Sequence, residues 1–64
     1  MKILFYGDVF GKPGRSAVKK TLPIYMDKYQ IDFVIVNGEN AAHGRGILPE
    51  MAEDFFSLGV DVIT

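Results

Sequence analysis

The chain has 64 residues, no cysteine and a formal charge of −1, with 23% charged and 48% hydrophobic residues. That length holds one small domain, burying only about 60% of the surface its unfolded chain exposes. Lack of cysteine excludes a disulfide framework and a thiolate metal site, and the small charge gives no pull toward nucleic acid or an acidic membrane. No apolar run approaches the roughly 20 residues of a membrane span, and the apolar start over residues 1–6 is too short for a signal sequence and stops at Asp8. The expectation is a cytoplasmic chain with neither a membrane nor a DNA partner.

Residues 2–6 are almost continuously apolar, which reads as a strand covered on both faces. The run ends in Gly7-Asp8. Residues 7–14 read as a loop carrying glycines at 7, 11 and 14, and Pro13 suits a helix start because its missing N–H would have no partner there. Val18, Leu22, Tyr25, Met26 and Tyr29 then recur at helical spacing, leaving Lys19, Lys20, Asp27 and Lys28 for the wet side. Pro23 conflicts with that helix and predicts a kink, or two short helices meeting at Leu22.

Residues 32–37 read as a second strand, and it too runs into a glycine and an acid, Gly38-Glu39, followed by Asn40. A Gly- and Ala-rich loop follows over residues 40–48. Pro49 opens a second helix with Glu50 and Glu53 near its N-terminus, where negative charge is favoured. Met51, Ala52, Phe55 and Leu58 make its buried stripe, and Gly59 is placed to end it. Residues 60–64 begin a third strand. The pattern is an α/β fold of βαβαβ order with parallel strands, open and doubly wound or three-layered. The loop after the third strand would fall beyond Thr64, so residues 1–64 read as a single partial domain. The open edge after that strand predicts a homo-oligomer.

Asp8 and Glu39 stand 31 positions apart at matched places in two successive βα units. In parallel sheets, ligands bind at the carboxyl ends of the strands. Asp8, Glu39 and Asn40 all offer hard oxygen donors, suited to Mg²⁺ or Mn²⁺, and carboxylates also serve Fe and Zn. Two such acids repel unless a cation lies between them, and a pair of metals clamping a phosphoryl group is one use of the arrangement. The structural alternative is that Asp8 caps the first helix while Asn37 and Asn40 hold a turn. The glycine spacing over 7–14 is neither the dinucleotide fingerprint nor a Walker loop, and Asp8 opposes direct phosphate binding. A nucleotide-binding Rossmann-like module nevertheless stays open as a second reading, and a purely structural or oligomerising segment as a third. Arg15, at the start of the first helix, reads as a solvated side chain, with a phosphate contact or a pairing with an acid as the alternatives. His43 and Arg45 sit in the second loop with no partner in their own segment. Tyr6, Phe10, Tyr25 and Tyr29 read as core or rim, since no basic stripe accompanies them.

Gly7-Asp8-Val9-Phe10-Gly11-Lys12-Pro13-Gly14-Arg15, followed by Asn37-Gly38-Glu39-Asn40-Ala41-Ala42 and Gly44, resembles the N-terminus of the YmdB-like bacterial metallophosphoesterases. The resemblance covers essentially the whole chain. It implies the opening βαβαβ of a calcineurin-like α/β/β/α sandwich, with a dinuclear centre of Fe, Mn or Mg that hydrolyses phosphodiesters, 2′,3′- or 3′,5′-cyclic nucleotides among them. Carried over by position, Asp8 becomes a ligand of the first metal, Glu39 the bridging ligand and Asn40 a further ligand. Phe10 stands where general metallophosphoesterases have a histidine, and Glu39 where they have an aspartate. Both departures match the YmdB-like branch and count against a generic protein phosphatase. The general acid and the remaining ligands are expected beyond Thr64, so the segment alone is expected to be inactive.

Overall fold

The computed structural model describes residues 1–42 and 46–64. Five elements follow in order: β1 (Ile3–Tyr6), α1 (Gly11–Tyr29), β2 (Phe33–Val36), α2 (Pro49–Leu58) and β3 (Val62–Ile63). The strands lie in the order β1-β2-β3 and both pairings are parallel, with Tyr6 opposite Val36 and Val36 opposite Ile63. Asp61 extends the short β3 pairing: its N–H donates to the Val34 carbonyl at 2.9 Å, and its carboxylate accepts the Val34 N–H at 2.8 Å.

Both helices cover the same face of the sheet. Val18 and Leu22 of α1 and Phe55 of α2 share one core with Val34 and Val36, and Leu4, Tyr6 and Ile63 pack against it. Burying a side chain such as Leu22, which has no exposed surface, contributes about 1.5–3 kcal/mol. The opposite face holds Ile3 and Phe5, each 57% exposed, beside Val62. Within residues 1–64, β1 is therefore covered on one face only, and the two helices are not doubly wound about the three strands. Crossovers of one hand that always step in the same direction across a sheet must leave their helices on one side. A doubly wound sheet needs a reversal of strand order, and β1-β2-β3 contains none.

The expected break at Pro23 is also corrected, because α1 is a single helix through that residue. Pro23 cannot donate to the Lys19 carbonyl, but both residues are exposed, so that carbonyl is open to hydration. Meanwhile Val18, Leu22 and Met26 hold both halves of the helix to one core. The helix begins at Gly11, two residues before Pro13, which leaves Pro13 in the first turn, where its missing N–H costs nothing. The second helix starts at Pro49 and ends at Gly59 with φ +110°, as its residues predict. Among the described residues no helix is long and apolar enough to cross a membrane.

Candidate functional site

The parallel pairing of Tyr6 with Val36 brings the segments after β1 and β2 out at the same end of the sheet. Hydrogen bonding continues past the strands. The Asn37 N–H donates to the Tyr6 carbonyl at 2.8 Å, the Val9 N–H to the Asn37 carbonyl at 3.1 Å, and the Gly11 N–H to the Asn40 carbonyl at 3.1 Å. The two loops thus form one laced shelf, tied to the third strand by the Gly38 N–H donating to the Thr64 carbonyl at 3.0 Å.

On this shelf the Asn40 side-chain amide donates from Nδ2 to Asp8 Oδ1 at 3.0 Å. Asp8 is exposed and adopts φ +47°, a left-handed conformation that aspartate tolerates better than most residues. Glu39, also exposed, is held by its own N–H, which donates to Asn37 Oδ1 at 3.2 Å. The turn-holding alternative is thus met at Asn37. It fails at Asp8, because α1 starts from Phe10 and has no side-chain cap. Asp8 instead reaches across to the neighbouring strand's loop. Gly14 lets Val9, next to Asp8, pack closely on α1, since a Cβ there would sit 3.1 Å from Val9 Cγ1 and 3.2 Å from the Val9 carbonyl carbon.

Arg15, expected to be solvated or on a phosphate, donates from Nη1 to the Ala41 carbonyl. Periodicity gave no sign of that contact, because it joins residues 26 positions apart. Phe10 and Tyr29 are 55% and 46% exposed, while Tyr6 is half-buried and shares a hydrogen bond with the Thr21 hydroxyl at 2.6 Å. Thr21 itself donates to the Ala17 carbonyl at 2.7 Å, so Tyr6 is the donor to Thr21. His43 and Arg45 lie outside the described residues.

The donors fit a hard divalent cation in kind. Asp8, Glu39 and Asn40 supply oxygen from one end of the sheet, and neither acid is neutralised by a cationic side chain among the described residues. Their number falls short of a full coordination shell of about four to six donors. Among the described residues no three His, Cys, Asp or Glu side chains gather into a cage. The site is an open shelf. A groove of about 290 Å³ lies elsewhere, between α1 and α2, lined by Lys12, Arg15, Lys19, Met51 and Asp54 among others, and none of the three donors borders it.

The chain is similar to known proteins in both sequence and fold. Over its full length the chain is 48% identical to the 2′,3′-cyclic-nucleotide 2′-phosphodiesterase of Bacillus subtilis, covering 24% of that protein. A crystal structure of a novel phosphatase from Mycoplasma pneumoniae superposes with a TM-score of 0.92 at 44% identity, over 98% of this chain and 22% of that one. A hypothetical protein from Thermus thermophilus superposes with a TM-score of 0.85, also at 44% identity, over 98% of this chain and 24% of its own. The chain therefore spans about a quarter of the length of the relatives it matches. Residues 4–64 match the model of the YmdB-like protein family. Because that match takes in nearly the whole chain, the chain belongs to the YmdB-like proteins.

Proposed function

We propose that residues 1–64 form the opening part of a larger metal-dependent phosphodiesterase domain, in which Asp8, Glu39 and Asn40 hold part of a dinuclear Fe, Mn or Mg centre. The observation that carries this reading is the 3.0 Å contact between Asn40 and Asp8, made across two strand ends and doing nothing for either helix cap. When bound, two divalent cations lower the pKa of a water and neutralise phosphate oxygens. This chain's part is to hold the donors in place. The laced loops fix the Asn40 backbone, Asn37 fixes that of Glu39, and the αL turn presents Asp8. No residue of the segment is assigned as the general acid, which is expected from the rest of the domain.

The relatives' activities support a phosphodiester as the substrate class, and 2′,3′- or 3′,5′-cyclic nucleotides are the first candidates. A cytoplasmic location belongs to the same proposal. So does self-association of the isolated segment through the open β1 and β3 edges, an idea that a monomeric mass by sedimentation equilibrium would remove.

The test uses the full-length protein that carries this segment. Asp8→Asn and Glu39→Gln are expected to lower bound metal and cyclic-nucleotide hydrolysis together, while the isolated segment shows no turnover. Unchanged metal content and activity in both variants would overturn the proposal. Metal-dependent turnover by the pure segment would overturn its dependence on the rest of the domain.

A further inference from the structure

We infer that Arg15 is a positioning residue for the metal shelf, holding the Asn40 side chain on Asp8 through the Asn40–Ala41 backbone; this rests on the function proposed above. The first turn of α1 takes two successive carbonyls of the loop after β2. The Gly11 N–H takes that of Asn40 at 3.1 Å, and the Arg15 guanidinium takes that of Ala41. On the other side, the Ala41 N–H donates to the Gly38 carbonyl at 3.0 Å, and Ala41 itself has no exposed surface. With both carbonyls and the Ala41 N–H bound, the backbone that directly follows the Asn40 side chain is fixed. That side chain then meets Asp8 Oδ1 at 3.0 Å.

Arg15 forms no ion pair among the described residues. A cation with no acid to neutralise would ordinarily stay in water, where its long side chain keeps its rotamer entropy. Here it is instead ordered on a neutral backbone oxygen, and a charged donor makes that bond roughly twice as strong as an uncharged one. The planar guanidinium can satisfy this carbonyl with one N–H while its other donors stay hydrated. Groups that orient metal ligands without touching the metal typically change affinity by about 10–100-fold when removed.

The experiment compares Arg15→Met, Arg15→Lys, Asp8→Asn and, as a stability control in α1 away from the shelf, Val18→Ala, all in the full-length protein. Metal-free protein is titrated with Mn²⁺ by calorimetry, Tm is recorded, and the Asn40 side-chain amide resonances are followed without metal. Arg15→Met is expected to weaken Mn²⁺ binding at least about tenfold and to move the Asn40 amide signals. Arg15→Lys, which can still reach a carbonyl, restores most of the affinity. Val18→Ala lowers Tm and leaves the affinity within about twofold, since it removes core contacts and no shelf hydrogen bond. The inference is overturned if Arg15→Met binds Mn²⁺ as tightly as the unmodified protein, or if Val18→Ala weakens binding as much for the same loss of Tm. Should Asp8→Asn also leave binding unchanged, the metal site itself is wrong. If Asp8→Asn abolishes binding and Arg15→Met does not weaken it, only the positioning role falls.

Discussion

Gly14→Ala tests whether close packing of the first loop on α1 is what sets the position of Asp8. The residue lies inside the helix with an ordinary negative φ, so in open space alanine would stabilise by about 0.5–1 kcal/mol through propensity and a less flexible unfolded chain. The space is not open. The new Cβ would meet Val9 Cγ1 at 3.1 Å and the Val9 carbonyl carbon at 3.2 Å, and the second of these is backbone that no rotamer change can move. Val9 is itself 5% exposed and tied by its N–H to Asn37. Overpacking of this kind costs about 1–3 kcal/mol, which outweighs the propensity gain, so the net effect is a loss of about 0.5–2 kcal/mol. In a full-length protein about four times this length, as in the relatives, that is a Tm decrease of a few degrees, at about 2–4 °C per kcal/mol. Equilibrium urea unfolding gives the free energy directly. Adding Val9→Ala removes the Cγ1 contact and leaves the backbone one, so a double-mutant cycle should show only partial relief. A Gly14→Ala protein more stable than its parent would refute the packing argument and the glycine's assigned role.

Two further predictions concern hydrogen bonds. Asp61→Ala leaves the Val34 N–H, on a residue with no exposed surface, without its 2.8 Å acceptor; a loss of about 1–3 kcal/mol is expected in urea unfolding, and Asp61→Asn should recover part of it because its amide oxygen can still accept. Burial holds the Tyr6 phenol above its ordinary pKa, with a smaller raising by Tyr25, and the hydrogen bond it donates to Thr21 also favours the neutral phenol. A raised acid is neutral in the folded state, so its contribution is complete below the unfolded phenol value, about 10, and is lost as pH climbs through the higher folded one. Unfolding free energies at about pH 9 and about pH 11 should therefore fall more steeply for the parent than for Tyr6→Phe; equal slopes would contradict the assignment.

The order of the elements was legible in the residues because it rests on local physics. Apolar runs of strand length, a stripe at Val18, Leu22 and Met26, Pro49 opening a helix and Gly59 closing one are each satisfied within a few positions of chain. That an acid follows each of the first two strands was legible for the same reason, although the pairing of Tyr6 with Val36 sets Asp8 two residues and Glu39 three residues past the paired strand ends. What needed the tertiary structure was everything that depends on where distant segments meet. Pro23 looked like a break until the helix was seen anchored on both sides of it by one core. Residues 2–6 looked doubly covered because an apolar run does not say which of its faces a helix will reach, and only the unreversed strand order puts α1 and α2 together on one side. The contacts of Arg15 with Ala41 and of Asn40 with Asp8 span 26 and 32 positions. No periodicity encodes contacts at that range, because they arise only when β1 and β2 pair and bring their loops to the same edge.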